Sequence, residues 1–164
     1  MDIMKNVLVV AFGVGTLLDF FLSILGMGII LQAESVLVYL ISIAVAFALV
    51  CLRLCMEIIF EHSGILYYCL RAAFFVSIVI AFFASANALA CHVLFKKPLW
   101  SPVVVNWNEV LTMQSFTIKI ILLVIAIFLV VSPVVISRFA REYAEAKEDE
   151  DEDEPVKRAI PPKI

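Results

Sequence analysis

Asp19 is the residue whose chemistry most constrains this 164-residue chain, because it lies near the middle of an apolar run from Val7 to Leu31. An ionised carboxylate at the centre of a bilayer is costly unless it is paired, wetted or neutralised by a proton. Three uses are open to it: hydrogen-bonding glue between helices, a step in an ion or proton pathway, or contact with a ligand. Ala11, Gly15, Asp19 and Ser23 recur every four residues with Thr16 alongside, giving one helix a stripe of small and polar side chains. That stripe is either a seam between helices or a pore lining, with Ala11, Gly15 and Gly26 as close-packing positions. Asn87, the one strong side-chain amide in a later apolar run, completes an expected intramembrane polar site of Asp19, Thr16, Ser23 and Asn87.

A second group of charges closes the next apolar run. Arg53, Glu57 and Glu61 recur at four-residue spacing and share a helix face. From Val36 to Glu57 a helix covers about 31 Å, so Glu57 and Glu61 are expected at the membrane interface with Arg53 snorkelling towards it. Together with Arg71 they form an expected interfacial cluster, serving as anchors or as contacts to a partner or lipid headgroup. Cys51, Cys55, Cys69 and Cys91 lie in or beside apolar stretches, where a thiol behaves as a small hydrophobe. Their spacing, even with His62, matches no recognised metal-ligand pattern, so neither a metal nor a cofactor is expected.

The third charged feature is a run of seven acids, Glu148, Asp149, Glu150, Asp151, Glu152, Asp153 and Glu154, followed by a short basic and proline-bearing end. Like charges repel, so the segment 142–164 reads as a largely disordered, solvated tail, with Arg138 to Lys147 prolonging the last helix. It is either a spacer or a docking segment for a basic soluble partner. Catalytic signatures such as G-x-S-x-G, H-E-x-x-H and the Walker loop are absent, so the chain is not expected to be an enzyme. The acidic soluble part offers no footprint for nucleic acid.

These residues need elements to hold them. The chain is 64% hydrophobic and 16% charged, more apolar surface than one soluble core of this size can hide. Each crossing of a bilayer core takes about 20 apolar residues. The expected fold is therefore all-α, a polytopic domain over 1–141 with transmembrane helices at about 7–31, 36–60, 65–95 and 117–137. Between the last two, Pro98, Trp100, Pro102 and Trp107 argue for an irregular interfacial connection. Pro133 should kink the final helix.

An even number of spans puts both termini on one side. Lys5, Arg53, Arg71, Arg138, Arg141 and Lys147 fall on that side, against Lys96, Lys97 and Lys119 opposite, which favours cytoplasmic termini in a bacterial inner membrane. Residues 1–141 carry a formal charge of +2 and residues 142–164 one of −5, so the acidity belongs to the tail.

Three roles fit this pattern. The first is a membrane subunit that forms a homo-oligomer through its first helix and recruits or signals to a soluble cytoplasmic partner through the tail. The second is an oligomeric channel or membrane-permeabilising effector with Asp19 lining the pore. The third is a small proton-coupled transporter. In helix count and in having an acid in the first span, the chain resembles the small multidrug resistance transporters, from which it departs in its long third connection and charged tail. In helix count and the shared side of its termini it resembles the four-helix membrane components of bacterial anti-phage systems such as Kiwa. That resemblance implies a membrane protein working with a soluble partner in antiviral defence.

Overall fold

Long apolar runs without internal proline or polar breaks have one way to satisfy their backbone in lipid, which is to become helices. The computed structural model describes residues 3–32, 35–97, 105–113 and 115–158, with side chains as far as Ala144. Among these residues every regular element is helical: α1 (Ile3–Ile30), α2 (Val36–Leu54), α3 (Met56–Glu61), α4 (Ile65–Leu89), α5 (Trp107–Met113) and α6 (Phe116–Arg158). Four segments are long and apolar enough to cross a membrane: Met4–Ile30, Val36–Leu54, Ile65–Leu94 and Phe116–Ala144.

Local chemistry sets the element ends. Ser35 caps α2 with its hydroxyl, which accepts from the Val38 N–H at 3.4 Å. The expected second helix divides at Cys55, where α2 ends and the short α3 begins. Gly64 opens α4 at φ +146°, a backbone conformation that side-chain-bearing residues rarely adopt. The third span finishes with a π-helical turn, Ala90–Leu94, in which the Phe95 N–H reaches the carbonyl of Ala90 five residues back.

The last helix runs through its expected span, 117–137, and its expected prolongation to Lys147, and continues through the acidic run to Arg158. No glycine or proline lies between Pro133 and Pro155 to stop it. The helical backbone thus takes in the expected tail, 142–164, as far as Arg158. Residues 159–164, Pro98, Trp100 and Pro102 lie outside the described residues.

Helix α1 packs on α2, α4 and α6, and its seams with α4 and α6 depend on glycine. A Cβ on Gly26 would overlap the backbone carbonyl of Ala84, so here two helix backbones touch directly. Gly15 lies against Ser132 and Phe128 of α6, beside a ring contact between Phe12 and Phe128 at 5.4 Å. Ala11, by contrast, is exposed and contributes to neither seam, because α1 turns that end of its stripe outward. At the far end, Val105 and Val110 bury themselves on Ile29, Ala90 and Cys91, seating α5 across the bundle.

Substituting Gly26 by valine should displace α4 and lower stability by at least about 1–3 kcal/mol, the usual cost of overpacking. Gly13→Ala, where an added Cβ meets nothing within 4 Å, should leave stability unchanged or slightly raised. Thermal unfolding of the two variants in one detergent checks both.

Candidate functional site

The polar centre of the bundle is assembled from helix direction. Asp19 lies eleven residues from the end of α1 at Ile30, and Arg53 seventeen from the start of α2 at Val36. Their Cα atoms therefore differ in depth by about 9 Å at 1.5 Å per residue. Side chains lean towards the N-terminus of their own helix, and these helices run antiparallel, so the two lean towards each other. Nη2 of Arg53 stands 2.7 Å from Oδ2 of Asp19, and both side chains are 0% exposed. That contact is a buried ion pair.

Other helices supply the remaining partners. Nε of Arg53 donates to the Leu49 carbonyl of its own helix at 3.1 Å, and Nη1 donates to the Val130 carbonyl of α6 at 3.2 Å. Buried Pro133 has no N–H to offer the neighbouring Leu129 carbonyl, which loosens the ladder of α6 at this level. From α4, the Ser85 hydroxyl donates to Oδ1 of Asp19 at 3.2 Å. All four spans thus meet on one carboxylate and one guanidinium.

The placement of Arg53 corrects the expectation that it snorkels to the interface with Glu57, Glu61 and Arg71. Depth along a span does not fix side-chain direction, and the backward lean carries Arg53 inwards to the buried carboxylate. The other three do lie at the end of the bundle, where sequence reasoning missed their partner. Arg141 of α6 contacts Glu57 at 3.5 Å and Glu61 at 3.2 Å. Arg71 donates to the carbonyls of Ile59, Phe60 and His62, satisfying the C-terminal end of α3, and lies over the rings of Phe60 and Tyr68.

Of the expected polar site, Asp19 joins Arg53 and the rest disperse. Thr16 donates to the Phe12 carbonyl at 2.9 Å, and Asn87 to the Phe83 carbonyl at 2.8 Å. Each thus satisfies its donor on its own helix, and neither reaches the carboxylate. Ser23 is fully buried and its hydroxyl has no hydrogen-bond partner among the described residues. Ser85 was legible in principle, since Ser77, Ala81 and Ser85 form a second small-residue stripe at four-residue spacing. The acids Glu148 to Glu154 lie on the helical backbone of α6, and their side chains lie outside those described.

Chemically, the centre holds charge in place. Breaking a buried pair by removing one partner typically costs about 3–5 kcal/mol, because the survivor is left uncompensated in a low dielectric. Arg53→Met should therefore destabilise strongly, and the double variant Asp19→Leu with Arg53→Met should recover much of the loss. A double-mutant cycle measured by detergent-denaturation midpoints tests this, and additive effects would contradict direct pairing. Ser85→Ala should destabilise by about 1 kcal/mol while Ser23→Ala should be neutral or stabilising, since only the first hydroxyl has a partner to lose.

No protein-family model, no curated protein and no solved structure matches this chain, and its role is argued from this geometry.

Proposed function

We propose that this protein is a small multi-pass membrane subunit whose bundle is an anchor and whose last helix is a stalk that recruits or signals to a soluble partner. The observation that carries the reading is the continuity of α6. Its uncharged run ends at Ser137, before Arg138, whereas its helix ends at Arg158. The twenty-one residues 138–158 extend about 31 Å at 1.5 Å per residue, well beyond a Debye length of about 8 Å at physiological salt. Seven consecutive acids are thereby presented beyond the bundle on a helix that is continuous with the membrane anchor.

Such a run attracts a basic surface over long range and fixes little by shape, which suits recruitment. At the base of the stalk, the contacts of Arg141 with Glu57 and Glu61 join α6 to α3, so a pull or tilt on the stalk is felt by the bundle. The self-contained pairing of Asp19 inside one chain speaks for an anchor over a pore lined by that residue. In this reading the termini are cytoplasmic, the membrane is a bacterial inner membrane, and copies assemble into a homo-oligomer. Because the Gly15, Asp19 and Ser23 stripe is occupied within the chain, copies meet through other faces, such as the outward side of α1 bearing Val10, Val14 and Phe21. A role beside a soluble effector in antiviral defence is one setting in which this architecture fits.

Affinity purification in mild detergent, comparing the full chain with one truncated after Lys147, tests the proposal. A soluble protein should be lost on truncation, and lost progressively from the full chain as salt rises, while the mass of the membrane oligomer stays the same. An identical set of co-purifying proteins in both samples would refute it.

A further inference from the structure

At the bundle end where α1 begins and the span of α6 finishes, the two helices leave a groove of about 500 Å³. Its floor is apolar, with Val9 from α1 and Ile136 and Phe139 from α6. Its rim is polar, with Lys5 from α1 and Glu142 and Tyr143 from α6. Lys5 stands one turn above Val9, and Tyr143 one turn above Phe139, so the change from apolar to polar takes about 5–6 Å along the helices. It falls where the uncharged runs of the two helices give way to charge, at Lys5 in α1 and at Arg138 and Glu142 in α6. A groove graded in this way at the edge of a span has the profile of a phospholipid, acyl chain below and headgroup above.

The rim charges specify which headgroup. Lys5 has no ion-pair or hydrogen-bond partner among the described residues, which leaves its three donors for a phosphate. Glu142 is half exposed and only loosely engaged, with Oε1 at 3.7 Å from Nε of Arg138. A cation and an anion on one rim match a zwitterion, and a carboxylate disfavours a headgroup of net negative charge. An ammonium with N–H donors satisfies Glu142, whereas a fully methylated one cannot donate to it. We propose that this groove binds one glycerophospholipid with an ethanolamine headgroup, Lys5 taking the phosphate and Glu142 the ammonium. The bound lipid lies against the root of the α6 stalk.

Native mass spectrometry of the full chain tests this, using an equimolar mixture of phosphatidylethanolamine, phosphatidylcholine and phosphatidylglycerol with identical acyl chains. The ethanolamine lipid should be the dominant adduct. Glu142→Gln should bring it down to the level of the choline lipid, and Lys5→Ala should weaken retention of every phospholipid about tenfold, the loss of one charge-assisted hydrogen bond. Both residues are exposed, so circular dichroism should show unchanged helix content. Equal retention of the ethanolamine and choline lipids by the parent chain would overturn the assignment. So would dominance of the glycerol lipid, or adducts that neither substitution alters.

Discussion

One carboxylate and one guanidinium, both wholly removed from solvent, set the terms for this bundle. Neither can face lipid, and neither can be left alone. Once Asp19 on α1 is met by Arg53 on α2, by Ser85 on α4 and through Arg53 by the Val130 carbonyl on α6, the register and rotation of all four spans are tied to a single point. Lipid tails are as apolar as leucine, so contacts between apolar side chains alone specify little in a membrane. A buried polar junction supplies the missing specificity, since any rotated arrangement leaves a charge unsatisfied.

The rest of the packing serves that junction. The side chains that bridge the spans are short, and bringing helices within their reach requires surfaces with little bulk. Gly26 against Ala84 and Gly15 against Ser132 provide that closeness on two sides of α1. Buried serines at 42, 77 and 132 turn their hydroxyls onto carbonyls of their own helices, which keeps them satisfied without demanding partners elsewhere. Ser23 is the exception within this scheme, a fully buried hydroxyl one turn from Asp19 with no partner among the described residues.

Charge is thus divided by place. Inside the spans it is paired and structural, while at the end where α3 and α6 meet it is paired at a partly solvated surface. Glu57 and Glu61 bind the stalk of α6 through Arg141, a partly solvated arrangement that holds the helix loosely. A four-helix bundle with its buried charges paired is thus continuous with a helical, acidic extension. The amphipathic groove at the same end lies between the start of α1 and the root of the stalk.

The four spans, the short connection between the first two and the exceptional status of Asp19 are legible in the sequence, because length, apolarity and an isolated charge are local quantities. It also gave the glycine positions at 15 and 26, since small residues in apolar runs stand out. It did not give the partner of Asp19. Arg53 stands near the end of its span, where depth alone suggests escape to water, and only antiparallel packing reveals that its backward lean meets the carboxylate. Ala11 shares a spacing with Gly15 yet faces outward, and Asn87 turns to its own backbone, because periodicity marks a face without saying what covers it. The extent of α6 was legible only as far as Lys147: repulsion between acids argued against a helix beyond it, whereas the backbone continues to Arg158 with no breaker before Pro155. Pairings across the bundle depend on helix rotation and direction, quantities that no single segment contains, and so they belong to the tertiary structure alone.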